Sequence, residues 1–395
     1  MNPPQKERPQ IFRLGLLTFS HLLADSAGSA IPGFLPVAMT YFGLDLAYGV
    51  TIVSVMGIAC NLLQIPLSKL GGKSASPVWI IAGLLLLGVT SWIGYLPQTT
   101  PFLLLILLIL LTALGIALVH PTGLRGVQAL KGIPAGMTTP IFMTGGFFGA
   151  ALSPWIAGML VERFGLKGLI FFFPLTVLIA FCIGLFRIRL AMDNDNAAQK
   201  KGDVFSPWSL TALLVIATFL NCGSMAFSGL VPYMLNKEVG YSLGFGNMAL
   251  FLFGGGSSAV SVLLGVLASK RRIDTLLVIL LFAGIPFTLL FFLLSGAKWA
   301  ILFALFSGTL CSSVFPILVA MSKTSAGRVS LGLRMGLMVG GTWGISCLVF
   351  LLVGVSAKYY GAKNVLTVVV PAFYLLSACT ALLTRKRDEK ISEKV

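Results

Sequence analysis

Twelve apolar stretches follow one another along this chain, joined by short polar or Gly/Pro-bearing turns, and they lie near residues 11–39, 48–69, 78–96, 101–122, 135–161, 168–190, 208–235, 242–268, 274–294, 299–321, 330–356 and 364–384. Each is long enough to cross about 30 Å of hydrocarbon at about 1.5 Å per residue. A backbone in hydrocarbon must satisfy its own N–H and C=O groups, which leaves helices or a closed barrel. The stretches lack the strict alternation of a barrel strand, so the sequence predicts an all-α membrane protein with twelve transmembrane helices. Composition agrees, since 57% hydrophobic and 10% charged residues lie far outside the range of soluble domains.

The net charge of +16 raises the question of nucleic acid, and its distribution answers it. Of the 28 Lys and Arg, only Arg163, Lys167, Lys237, Lys298, Lys358 and Lys363 fall on one side of the predicted spans. The positive-inside rule then places both termini in the cytoplasm, with the bacterial cytoplasmic (inner) membrane as the expected location. No separate basic domain stands apart from the spans, so the charge reads as orientation and attraction to anionic lipid rather than nucleic-acid binding. The first residues form a short polar tail, and the first apolar stretch is expected to stay as an uncleaved span. Cys60, Cys182, Cys222, Cys311, Cys347 and Cys379 all fall in apolar segments without paired spacing. They read as small packing residues, with no disulfide framework, metal site or cofactor expected. With no phosphate loop, zinc motif or nucleophile elbow, neither an enzyme nor ATP-driven transport is supported.

The two halves repeat each other. Gly33-Phe-Leu-Pro36 recurs as Gly229-Leu-Val-Pro232, Gly43 and Gly49 as Gly240 and Gly246, Gly145, Gly146 and Gly149 as Gly340, Gly341 and Gly344, and Gly165 and Pro174 as Gly361 and Pro371. The least apolar internal stretch, Asp193 to Asp203, lies between the copies and reads as a linker. The expected organisation is a six-helix bundle over 1–190, a cytoplasmic linker over 191–207 and a second bundle over 208–395. This pattern resembles the major facilitator transporters, in which two six-helix repeats enclose a site. The resemblance implies that the first helix of every three-helix unit, here the first, fourth, seventh and tenth segments, lines a central cavity.

The candidate chemistry sits on two of those segments. His21 and Asp25 are one helical turn apart on one face of the first. Asp25 is the carboxylate placed at mid-depth, and an ionisable pair there is a functional hypothesis by default. The plainer reading is a pair that satisfies itself inside the bundle. The second histidine, His120, falls on the fourth segment with Arg125 below it. Asp25 with His21, near His120 and Arg125, offers a proton carrier whose state conformation or substrate can change, and histidine itself titrates near neutral pH. The C-terminal half has no ionisable equivalent near Asn221. Asn221 faces either a cavity or a neighbouring helix, and Arg334 either snorkels to the interface or contacts substrate. Gly145, Gly146, Gly149 and Pro154 read as a packing signature that allows close helix approach, with Pro154 able to bend its helix. That run also resembles the fifth-helix signature of drug/proton antiporters.

Ser20-His21-Leu-Leu-Ala-Asp25 resembles the first helix of the fosmidomycin resistance protein family, and His120-Pro121-Thr122-Gly-Leu-Arg125 is similar to that family's His-Pro-Glu-x-x-Arg motif. The glycine run from Gly145 and the Gly327-Arg328 turn are similar as well. The chain departs from the family pattern at Thr122, which replaces an acid, and in Lys69-Leu-Gly-Gly-Lys73, which lacks one. The resemblance implies a monomeric secondary active transporter that works by alternating access. Proton-coupled export of a small organic compound, with anions among the candidates, is the expected activity, with Asp25 as carrier, His21 as modulator and His120, Arg125, Asn221 and Arg334 as substrate or gating groups. Metabolite uptake by a symporter or facilitator is the alternative.

Overall fold

A computed structural model describes residues 10–68, 74–130, 133, 135–192, 204–325 and 331–385, with backbone only at 135–137 and 331–332. Most of the predicted linker, the Lys69–Lys73 turn, Gly327-Arg328 and the tail after Arg385 lie outside the described residues. All regular structure among the described residues is helical. The helices are α1 (Gln10–Phe42), α2 (Leu46–Leu67), α3 (Val78–Tyr95), α4 (Phe102–Gln128), α5 (Ala135–Phe164), α6 (Phe173–Leu185), α7 (Leu210–Glu238), α8 (Leu243–Ala268), α9 (Asp274–Leu293), α10 (Lys298–Ser322), α11 (Leu333–Tyr360) and α12 (Ala362–Thr384).

Eleven helical stretches are long and apolar enough to cross a membrane, and one of them, Thr138–Leu185, is 48 residues long. At about 1.5 Å per residue it spans about 70 Å, enough for two crossings. Gly165, at φ +63°, turns the chain inside it, between α5 and a 3-10 segment leading into α6. Twelve crossings result. Side chains such as Leu103, Leu263, Leu352 and Leu383 are more than two-thirds exposed, an apolar outer surface suited to lipid.

The chain forms two compact units, one of residues 1–198 with 241–251 and the other of 199–240 with 252–395. The repeat seen in the sequence is written into the backbone. All four positive-φ glycines among the described residues are two repeat pairs: Gly43 (+64°) with Gly240 (+86°), and Gly165 (+63°) with Gly361 (+83°). The caps repeat too, since Asp45 accepts from the Tyr48 N–H at the start of α2 and Ser242 from the Phe245 N–H at the start of α8. Between Gly33/Gly229 and Gly43/Gly240 the repeat gains one residue. A π-helical turn at Met234–Glu238 absorbs it, because a π turn takes one residue more than an α turn.

Close approach also recurs. A Cβ on Gly33 would lie 2.6 Å from the Pro154 carbonyl oxygen of α5, whereas one on Gly229 would strike the Phe350 ring of α11. Both glycines let the first helix of a half press onto the fifth.

One expectation changes. α4 does not end at His120-Pro121 but continues to Gln128. A proline removes one backbone donor, and membrane helices accommodate that loss through local hydroxyl and backbone adjustments. The Thr122 hydroxyl next to Pro121 donates back to the Leu118 carbonyl at 2.5 Å, and His120 lies within the helix rather than at its tip.

Candidate functional site

The first unit brings His21 and Asp25 of α1, His120 of α4, and Phe142 and Gly146 of α5 into one cluster. Its geometry starts from glycines. A Cβ on Gly145 would sit 2.6 Å from the Thr18 carbonyl oxygen, and one on Gly149 would run into that of Leu22. Glycine at both positions lets the α5 backbone lie directly against α1. Between them, a Cβ on Gly146 would collide with Asp25 Oδ2 and come within 2.7 Å of His21 Nε2. The vacant side-chain position at Gly146 is therefore the space that the ionisable groups occupy.

His21 is held on two sides. Its Nδ1 lies 2.8 Å from the Phe142 carbonyl oxygen, and its ring stacks on the Phe142 ring at a centroid distance of 4.3 Å. A carbonyl only accepts, so Nδ1 carries the hydrogen and Nε2 is directed at Asp25. His120 Nε2 lies 2.8 Å from Asp25 Oδ1, while His21 Nε2 stands 3.4 Å from Oδ2. The His21 and His120 rings meet edge to face at 4.9 Å. Asp25 and His120 keep 22% and 20% of their side-chain exposure against 4% for His21, so the carboxylate and the second ring are the accessible members.

The hydrogen count of this cluster matters. With Nδ1–H of His21 committed to Phe142, a neutral His21 presents a bare Nε2 lone pair to a carboxylate oxygen, acceptor against acceptor. The gap is eased by a proton on either group, or by another cation. An arrangement of this kind can hold and release positive charge.

The remaining candidates lie elsewhere. Arg125 is five residues after His120, which turns it about 140° around α4. Its guanidinium donates to the Ala191 carbonyl from Nε at 2.8 Å and to the Ser74 carbonyl from Nη2 at 3.3 Å, tying the end of α4 to the segments beside α3 and α6. In the second unit Asn221, 1% exposed, donates to Thr342 Oγ1 at 2.9 Å. Arg334 is buried rather than snorkelling, and donates to the carbonyls of Ser322, at 3.3 Å, and Ser325 beyond the end of α10. A cation bonded to the last carbonyls of a helix offsets its dipole there. Pro154 packs its backbone against Gly33.

Thr122, the departure from the acidic pattern, is 1% exposed and bonded within its own helix. Sequence reasoning missed Phe142. It lies on the stripe 142, 145/146, 149 of α5, and that spacing was the available signal.

A sequence profile of the Major Facilitator Superfamily matches residues 17–330. The chain belongs to this superfamily. Within it, the chain is 24% identical over 372 residues to the fosmidomycin resistance protein of Escherichia coli (strain K12), covering 90% of this chain and 88% of that protein. An uncharacterized MFS-type transporter, YfnC, of Bacillus subtilis (strain 168) is 23% identical over 189 residues, covering 47% and 45%. Two solved transporters share the fold. They are the nucleoside transporter NupG, with a TM-score of 0.70 at 16% identity, 96% of this chain and all of that one, and a bacterial homologue of the human lysosomal transporter Spinster, inward-facing and occupied, with a TM-score of 0.71 at 15% identity, 97% and all of that one. This major facilitator protein is thus a multi-pass membrane transporter, not an enzyme.

Proposed function

We propose that this major facilitator protein exports a small organic anion across the bacterial cytoplasmic membrane in exchange for protons, by alternating access, with both termini on the cytoplasmic side. The observation that carries the reading is the Asp25 carboxylate set between two imidazoles, 2.8 Å from His120 and 3.4 Å from His21, with one hydrogen too few if both rings are neutral. Asp25 carries the proton. His21, fixed by Phe142, positions the carboxylate, and His120, the more exposed ring, responds to substrate. Arg125 and Arg334 tie helix ends, and Asn221 holds α7 to α11. The similarity to a resistance protein over nearly the whole chain supports export.

The test is transport in proteoliposomes under an imposed pH gradient, following proton flux with an internal pH dye and accumulation of fosmidomycin as the first candidate anion. Wild type is expected to move the anion uphill against the proton flow, and Asp25→Asn to equilibrate it at most. Wild-type transport indifferent to the gradient would indicate a facilitator, and anion moving with the protons would indicate uptake. Either result overturns the reading.

A further inference from the structure

The sequence contains no metal-binding spacing, yet folding brings three donor groups together. One ligand atom each of His21, Asp25 and His120 can be chosen such that all lie within 4.8 Å of one another. We infer that this cluster binds a divalent first-row transition ion of the zinc or cobalt type, with the two imidazole Nε2 atoms and one Asp25 oxygen as ligands.

Four features point this way. Two imidazoles with one carboxylate form a donor set suited to zinc and its neighbours, and three protein ligands leave a fourth position for water or a small anion. His21 makes the outer hydrogen bond typical of a metal-binding histidine: Nδ1–H to the Phe142 carbonyl at 2.8 Å fixes the tautomer and leaves the Nε2 lone pair facing inward. The Phe142 ring, stacked at 4.3 Å, holds the imidazole plane in place. Gly146 keeps the space beside Asp25 Oδ2 and His21 Nε2 clear.

Metal–ligand bonds of about 2.0–2.2 Å place tetrahedral donors about 3.4 Å apart. His21 Nε2 already stands 3.4 Å from Asp25 Oδ2, while His120 Nε2 stands 2.8 Å from Oδ1, the other oxygen of the same carboxylate. The adjustment that brings both imidazoles into the spacing of one metal site falls to the partly exposed His120 and Asp25 side chains, while His21 is locked by Phe142.

The hydrogens balance as follows. His21 Nε2 has no proton to lose when the ring is neutral. The proton on His120 Nε2, which faces Asp25, passes to Nδ1 of the same ring, an atom that has no hydrogen-bond partner among the described residues, or leaves for solvent. The ion supplies the positive charge missing between His21 and Asp25. Metal and the transported proton therefore compete for one place, although the metal site rests on donor geometry alone and stands whether or not transport is proton-coupled.

The probe is Co²⁺, titrated into the purified full-length protein in nanodiscs and followed by its visible d–d absorption and by calorimetry. One equivalent is expected to bind with the intense bands of a tetrahedral or five-coordinate nitrogen–oxygen site. Affinity is expected to fall at least tenfold in His21→Gln and in His120→Gln, with Zn²⁺ displacing Co²⁺ from wild type. Should the more deeply buried His21→Gln fail to give monodisperse protein, His120→Gln carries the comparison, because its ring is partly exposed. No binding to wild type at millimolar Co²⁺, thiolate charge-transfer bands in the near ultraviolet, or binding unchanged in His120→Gln would each overturn the inference. The readout involves no transport, so Asp25→Asn transport data and Co²⁺ spectra can fail independently.

Discussion

The same helix crossing occurs in both halves and holds opposite chemistry. In the first unit, α1 brings Asp25 against α5, where Gly146 leaves space and two imidazoles complete the cluster. In the second, the shift that maps Gly33 to Gly229 maps Asp25 to Asn221, whose amide is met by Thr342 of α11 at 2.9 Å. The Thr342 hydroxyl in turn donates to the Met338 carbonyl at 2.6 Å, closing the chain of bonds. The amide donates to the hydroxyl and the hydroxyl to a backbone carbonyl without a titrating group, whereas carboxylate and imidazoles depend on a mobile proton. The scaffold is therefore compatible with either, and the asymmetry arises from side chains placed on one backbone pattern. A fold that needed an ion pair at this crossing for stability would have used it twice.

The most severe way to break the contrast is to write the second unit's solution into the first. Asp25→Asn combined with Phe147→Thr, the position that the glycine repeat pairs with Thr342, is expected to reduce proton-driven accumulation by at least about a hundredfold, the loss of a positioned proton-transfer group costing about 10²–10⁴ in rate. Accumulation by the double variant in proteoliposomes at even a tenth of the wild-type rate would mean that Asp25 is not the carrier. The converse change, Asn221→Asp, puts a carboxylate against the Thr342 hydroxyl, with no cation beside it among the described residues. An unpaired buried charge costs several kcal/mol, so loss of about 3 kcal/mol of stability or protonation of the acid is expected. A guanidinium or thermal melt of purified protein reads the first, and a carboxylic C=O infrared band above about 1,700 cm⁻¹, lost on going back to Asn, reads the second.

Much of this contrast was legible in the sequence, and the limits have physical causes. The twelve spans follow from apolar length, and the repeated glycines Gly43/Gly240 and Gly165/Gly361 mark positions where only a positive φ turns the chain. His21 and Asp25 share a helical face by their spacing of four, which needs no structure to see. The closer partner of Asp25 is nonetheless His120, 95 residues away, and that pairing depends on the register between α1 and α4, which local periodicity does not encode. Phe142 contributes its carbonyl, a group every residue has, and a ring stacked on His21, so the only trace in the sequence is its place on the stripe 142, 145/146, 149 of α5. Arg125 is close to His120 along the chain, only five residues away. The five-residue spacing rotates it away, and its bonds to Ala191 and Ser74 belong to the end of the unit.

A milder perturbation sharpens the role of Gly146. In Gly146→Ala the added methyl meets Asp25 Oδ2 and His21 Nε2, and overpacking in a tight core costs about 1–3 kcal/mol. Gly341, the repeat counterpart, has its nearest contact at 3.8 Å, the flexible end of Leu337. Gly341→Ala is therefore expected to melt within about 1 kcal/mol of wild type, since replacing glycine by alanine inside a helix is mildly favourable where space allows. Equal destabilisation by both substitutions would show that the glycines serve general packing and that the space beside Asp25 has no special part.

The smallest expected effect concerns Thr122, two residues after His120 on α4. Its hydroxyl is buried and donates to Leu118 within α4, so Thr122→Val keeps the side-chain volume and removes one intrahelical bond. The Leu118 carbonyl still has the backbone N–H of residue 122 available, so the cost should stay below about 1 kcal/mol. Transport is expected to remain within twofold of wild type across pH, because a hydroxyl turned back onto its own helix exchanges no proton with Asp25. A tenfold loss, or a shifted pH profile, would place Thr122 in the coupling site and move the contrast between the halves about half a helical turn down α4. In that case Thr122 lies in the proton path, and Asp25 no longer accounts for the asymmetry alone.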